Sequence, residues 1–220
     1  LGSSLYSGEP VGVVIMSRGQ GTVTLASAAL AWLGVMSIAL GLTAAQSGFV
    51  GEIGRAIIAV SVSVPSYVTG TAAILLFGLS DPNSLFGVGL AAFVLGLHTS
   101  GPVANVLRIS LGETWQALYI SAARARGLRR VRIATRHVLP HAIISVLPLL
   151  AGQAGFLFGG TVMTEMVFAR PGLGRLMLDS VLRRDLPVVQ GLILLSALIF
   201  AAFQLLSDLA AFLLDPRSRV

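Results

Sequence analysis

The chain contains no cysteine and no lysine. The first absence removes a disulfide framework, a thiolate metal site and a cysteine nucleophile. The second removes a Schiff-base lysine and the lysine of a phosphate-binding P-loop, so the chain cannot hydrolyse ATP by that route. Charge is also scarce. Only 11% of the 220 residues are charged, 55% are hydrophobic, and the mean hydropathy is +0.88. A soluble domain carries roughly 25% charged residues. The composition therefore excludes both a soluble enzyme and a disordered chain. A basic n-region followed by a short apolar h-region, the pattern of a secretory signal, is missing from the start.

What is present is a series of uncharged apolar runs. Residues 1–21, with Gly2, Gly8, Pro10, Gly19 and Gly21, read as a flanking segment outside the hydrocarbon. Thr22 to Gln46 carries no charge and, at 1.5 Å per residue, spans about 37 Å, enough for a ~30 Å bilayer core. Further spans are predicted from Ala56 to Leu79, interrupted by Pro65, from Leu85 to Leu107, from Ala142 to Thr164, and within Pro187 to Leu214. The chain reads as an all-α membrane protein, a polytopic bundle of five spans, with a transmembrane domain over 22–214 and a tail over 215–220. One set of alternate connectors (47–55, 108–140 and the tail) holds ten arginines, and the other (1–21, 80–84 and 165–186) holds five. The positive-inside rule puts the richer set in the cytoplasm and the 165–186 loop outside.

The 108–140 segment is the one long hydrophilic stretch between spans, with seven arginines and a single acid, Glu113. Trp115, Leu118, Tyr119 and Ala122 fall at helical spacing on one face. Gly127 turns the chain. Beyond it Val131, Ala134 and Val138 form an apolar stripe, Arg129, Arg132 and Arg136 form a basic one, and Pro140 marks the start of the next span. Two short amphipathic helices joined at a glycine make a knob, and the small residues Ala122, Ala123, Ala125 and Gly127 permit close approach by a partner. A basic helix resting on anionic headgroups accounts for the arginines equally well.

The run from Tyr119 through Ser121-Ala122-Ala123-Arg124-Ala125-Arg126-Gly127-Leu128 to His137-Val138-Leu139-Pro140 resembles the cytoplasmic EAA loop of binding-protein-dependent ABC importer permeases. That pattern is Glu-Ala-Ala, three residues, Gly, nine residues, then Ile-x-Leu-Pro; here Ser121 and His137 replace the Glu and the Ile. The stretch Arg108 to Glu113, the stretch Gly159 to Phe168, Pro171-Gly172-Leu173-Gly174, Arg184 to Pro187 and Gln190-Gly191 resemble the B-type permease of the dipeptide/oligopeptide/nickel branch. The resemblance implies a type I importer permease fold and a loop (Tyr119, Ala122 to Arg129, Leu139 and Pro140) that couples to ATPases. It further implies these partners: two ABC ATPase subunits that bind ATP and Mg, a second, different permease chain, an extracytoplasmic solute-binding protein and the cytoplasmic (inner) membrane. Family members have six spans, so the resemblance also implies a first span preceding this sequence. No cofactor is expected on this chain, and the role that the resemblance implies is transport of di- or oligopeptides or related small solutes.

Glu165, at the outer end of the fourth span, is a candidate path or gate residue, or else an anchor of the external loop. Gly152, Gly155 and Gly159 are read as a helix-packing face. His98, His137 and His141 lack metal-ligand spacing, so no metal site is expected. No Gly-x-Ser-x-Gly is present, which leaves an intramembrane serine hydrolase without its nucleophile. The arginines lie between spans, out of reach of nucleic acid. An ATP-independent secondary transporter or channel remains the alternative; nearly charge-free spans weigh against it.

Overall fold

The computed structural model describes residues 2–78, 81–159 and 161–214; the expected tail at 215–220 lies outside them. Ten α-helices follow one another, and no strand is present among the described residues. Four stretches are long and apolar enough to cross a membrane, and a bent helix pair makes a fifth span if counted as one.

The first span is longer than its composition implies. Helix α1 runs over Val11–Ala44, 34 residues, so it starts well before Thr22. Gly19 and Gly21 read as loop markers, yet both lie within the helix. At Gly21 the reason is packing: a Cβ there would fall 2.0 Å from the Pro171 carbonyl oxygen. Thr22, Leu25, Ala26, Ala29, Leu33, Ser37, Leu40 and Ala44 are buried, a stripe repeating every three or four residues.

The second span is broken. Helix α2 (Phe49–Ser63) and helix α3 (Ser66–Phe77) meet at Pro65 with a bend of 106°. Proline lacks an amide proton and its ring clashes with the preceding turn, so the helix cannot continue through it. Helix α4 (Leu85–Gln116) starts where the Ser84 hydroxyl accepts from the Gly87 amide at 3.0 Å, a side-chain N-cap. It runs on past Leu107 and carries Arg108 and Glu113.

Helices α1 and α4 form the centre of the bundle. Leu25, Ala26, Ala29, Leu33, Ala91, Ala92 and Leu95 are buried together with Leu157 and Phe168. The small residues bring the backbones close; a Cβ on Gly96 would sit 2.5 Å from that of Trp32. Helices α7 (Leu139–Gly159) and α10 (Leu186–Leu214) form a second pair, with the Phe158 and Phe203 rings stacked at 5.4 Å. Most of α10 stays exposed, including Ile193, Leu198, Leu205 and Phe212, an apolar surface suited to hydrocarbon or a partner helix.

The ends of the bundle sort the connectors. Residues 2–10, the turn before α4 and the 168–185 loop meet at one end, where Ser4 bonds Asp185 and Arg170 bonds the Pro82 carbonyl. The α1–α2 connector meets residues 111–139 at the other end, around a cavity of 730 Å³ lined by Gln46, Ser47, Trp115 and Arg130.

Candidate functional site

The knob at this second end of the bundle is built from α5 (Leu118–Ala125), the Gly127 turn and α6 (Arg130–Ile133). The periodicity that joins Trp115 to Leu118 and Ala122 does not correspond to one helix. Helix α4 ends at Ala117, in extended conformation at φ −65° and ψ 144°. Trp115 therefore belongs to α4, and α5 presents a different face. Ile120 and Ala123 are buried, whereas Leu118 is 88% exposed. On the second arm, Ile133 and Val138 are buried and Val131 is exposed. Sequence reading missed Ile120 and Ile133 because each lies one or two places from a more regular apolar series.

Ile120, Ala123, Ile133 and Val138 form one core with Val103, Leu107 and Leu111 of α4 and Ala142 and Val146 of α7. Full burial of an isoleucine contributes about 1.5–3 kcal/mol, so two of them bind the knob firmly to both long helices. Between the arms, Gly127 adopts φ +75°, a region open to glycine and closed to most other residues. The turn closes with the Gly127 amide donating to the Arg124 carbonyl at 2.9 Å and the Leu128 amide to the Ala123 carbonyl at 3.3 Å. Leu128 packs against the same core.

Trp115 stiffens the base. The guanidinium groups of Arg124 and Arg130 lie 5.5 and 5.7 Å from its ring centre, and Arg124 also donates to its carbonyl at 3.0 Å. Tyr119 packs on the His141 ring at 5.9 Å. Residues 134–138 then form a π-helical turn that leads straight into α7. Pro140 does not mark a boundary: it lies within the continuous helix from Arg130 to Gly159. The wider turn ahead of it fits a residue whose ring crowds the carbonyl four places back. Leu139 is half-buried and Pro140 exposed.

The outward face of the knob combines exposed Leu118, Ala122, Ala125 and Val131 with exposed Arg126, Arg129, Arg132 and Arg136. None of these arginines pairs with an acid among the described residues. Such a surface, apolar ridges among uncompensated positive charge on a rigid base, fits a groove with apolar walls and an acidic rim.

At the opposite end Glu165, on the short helix α8 (Val162–Val167), is fully buried. One carboxylate oxygen accepts from the Thr22 and Thr161 hydroxyls at 2.6 and 2.8 Å; the other accepts from the Arg175 amide at 2.9 Å. Thr22 in turn accepts from the Leu173 amide at 2.7 Å. The carboxylate thus caps helix α9 (Leu173–Leu182), where a negative charge is favoured. A Cβ on Gly172 would lie 2.2 Å from a Glu165 oxygen, so the Pro-Gly-Leu-Gly motif is the wrapping of this one acid. Arg170 sits beside it, 2% exposed, with its Nε unpartnered among the described residues. Burial pushes the Arg170 pKa down, and the charge of Glu165 opposes that shift. Asp185 is held below the ordinary carboxylate range. Burial alone would raise it, but bonds from the Ser4 hydroxyl and the Leu5, Tyr6 and Val188 amides outweigh burial.

The three glycines of α7 divide. A Cβ on Gly155 would lie 2.7 Å from the Phe200 ring and 3.2 Å from its Cα, and Gly159 accepts from the Ser196 hydroxyl at 2.8 Å. Both face α10. Gly152 has nothing within 4 Å.

Residues 37–220 match the family described as "Binding-protein-dependent transport system inner membrane component". Among curated relatives, the glutathione transport system permease protein GsiC of Pectobacterium atrosepticum is 33% identical, across 100% of this chain and 74% of its own length. GsiC of Salmonella typhi is 31% identical, across 99% of this chain and 74% of its own. Among solved structures, a chain from the crystal structure of an amino acid ABC transporter with histidines superposes with a TM-score of 0.71. It is 19% identical and covers 91% of this chain and 94% of that one, a likeness of fold.

Proposed function

The chain belongs to the binding-protein-dependent transport system inner membrane component family and is a multi-pass permease subunit of an ABC importer, and from that premise we propose that it couples to ATPases through the α5–Gly127–α6 knob and passes peptides. It is a transport component rather than a catalytic subunit. On our reading it sits in the cytoplasmic membrane of a bacterium. A second permease chain completes the path, two ATPase subunits bind ATP and Mg, and an external binding protein delivers the solute. The substrate class is di- or oligopeptides; the GsiC relatives are named for glutathione, itself a tripeptide.

The observation that carries the coupling role is the knob's double character. Ile120 and Ile133 fix it to α4 and α7, while Leu118, Val131 and four arginines with no acidic partner among the described residues face outward. A push on the knob moves two span-length helices as levers. Closure of the ATPase pair on ATP and docking of the loaded binding protein then bias the same two-state equilibrium from opposite ends. Glu165, with both oxygens bonded, serves as the tie that holds the external loop to α1. The test is co-purification of the full complex. ATPase retained by the native chain and lost on Leu118→Asp with Val131→Asp supports the reading. Retention unaffected by both aspartates contradicts it.

A further inference from the structure

A cavity of about 450 Å³ opens at the α2–α3 break, lined in part by Ser66, His98, Thr99, Gln153, Phe156 and Thr164. Its origin is legible in the backbone. In an unbroken helix the Ser61 carbonyl would accept from the amide of residue 65, and Pro65 has none. His98 of α4 takes that role: its Nδ1 lies 2.8 Å from the Ser61 carbonyl, which can only accept, so Nδ1 carries the proton. Its Nε2 lies 2.6 Å from the Thr69 hydroxyl on α3. Both ring nitrogens are thus occupied in holding the two halves of the broken span to α4.

Two polar groups are left over. The Gln153 amide and the Thr164 hydroxyl line the cavity with no hydrogen-bond partner among the described residues, and Thr164 is only 5% exposed. No lining residue is Asp, Glu, Lys or Arg. An unpaired amide within the apolar length of α7 and an unpaired hydroxyl on the neighbouring α8 are costly against hydrocarbon, so this face looks onto water or solute. The volume falls within the range of small-ligand sites. We propose that the cavity is a solute-contact station of the translocation path and that it recognises the uncharged amide groups of a peptide backbone. Gln153 presents a donor and an acceptor in one plane, the complement of a backbone amide, and Thr164 adds a hydroxyl. With no fixed charge, the site discriminates little among peptide side chains.

The inference rests on the reading of the chain as a peptide permease, and the experiment separates the two. The complete transporter is reconstituted in proteoliposomes with its binding protein and offered trialanine and its N-methylated analogue. Gln153→Leu is expected to lower trialanine transport about two- to ten-fold at subsaturating peptide, the loss of a net hydrogen bond, and to affect the N-methylated analogue less. A Gln153→Cys chain, free of background thiols, is expected to react with a water-soluble methanethiosulfonate and to be protected by trialanine. Leu198→Cys on the exposed face of α10 serves as the apolar control and is expected not to react. Gln153→Cys unreactive, or reactive without protection, overturns the inference, as does unchanged transport by Gln153→Leu. Failure of the native complex to move any peptide overturns the substrate reading and the inference with it.

Discussion

Replacing Gly127 tests whether the shape of the knob, rather than its bulk, drives coupling. The residue sits at φ +75°, and a Cβ there would meet nothing within 4 Å. Inside the chain, then, a side chain at 127 costs only backbone strain. Placing an L-residue in the left-handed region costs about 1–2 kcal/mol, more for β-branched residues, and Asn is among the few that visit it routinely. At about 1.4 kcal/mol per decade, Gly127→Ala shifts the equilibrium between the turned and relaxed loop roughly five- to thirty-fold, Gly127→Val shifts it further, and Gly127→Asn shifts it least. The assay is peptide transported per ATP hydrolysed in proteoliposomes holding the full complex. Basal ATPase activity and the amount of permease inserted serve as internal references. The expected order of coupling is Gly, Asn, Ala, Val, with Asn ahead of Ala despite its larger volume. An order that follows volume instead, or equal coupling in all four, refutes the backbone argument.

Glu165→Ala leaves the Thr161 hydroxyl and the Arg175 amide without their acceptor in a closed pocket, and each unsatisfied group costs about 1–3 kcal/mol. A clear fall in thermal stability in detergent is expected, with Glu165→Gln losing less. Gly155→Leu collides with Phe200, including its backbone, and is expected to cost about 1–3 kcal/mol, whereas Gly152→Leu points into open space and leaves the melting temperature unchanged. The depressed pKa of Asp185 sets a sign for acid. Its contribution is complete above the ordinary aspartate pKa of about 3.9 and is lost only as the pH falls through the lower folded value. Hydrogen exchange of residues 2–10 is therefore expected to stay slow at pH 4 and to rise below it. Asp185→Asn is expected to speed exchange at neutral pH and to remove that acid dependence.

The apolar lengths of α1, α4, α7 and α10 were legible because charge is nearly absent from them and concentrated between them. Gly127 was legible as a turn because no apolar period crosses it. Other features depended on contacts that local patterns do not carry. Gly19 and Gly21 suggest a loop, yet Gly21 is inside α1 because the Pro171 carbonyl needs the space. Pro65 signals an interruption, but not that the span turns through 106° or that His98 takes over the orphaned carbonyl. The period through Trp115 and Leu118 continues across Ala117, where the backbone does not. Thr22 and Glu165 are bonded across 143 positions of sequence. The Pro-Gly-Leu-Gly motif could be matched to a family but not explained until Glu165 was seen inside it.

On our reading the α5–α6 knob faces the cytoplasm and contacts an ATPase. The absence of native cysteine permits a direct measurement: Leu118→Cys and Asn83→Cys, one at each end of the bundle, assembled with the ATPases in membrane vesicles of known orientation and treated with a thiol-to-amine cross-linker and, separately, with an impermeant label. Leu118→Cys is expected to cross-link to the ATPase and to be shielded from label applied outside, while Asn83→Cys is expected to be labelled from outside and not to cross-link. Labelling of Leu118→Cys from the external side, or an ATPase cross-link at Asn83→Cys in its place, contradicts it.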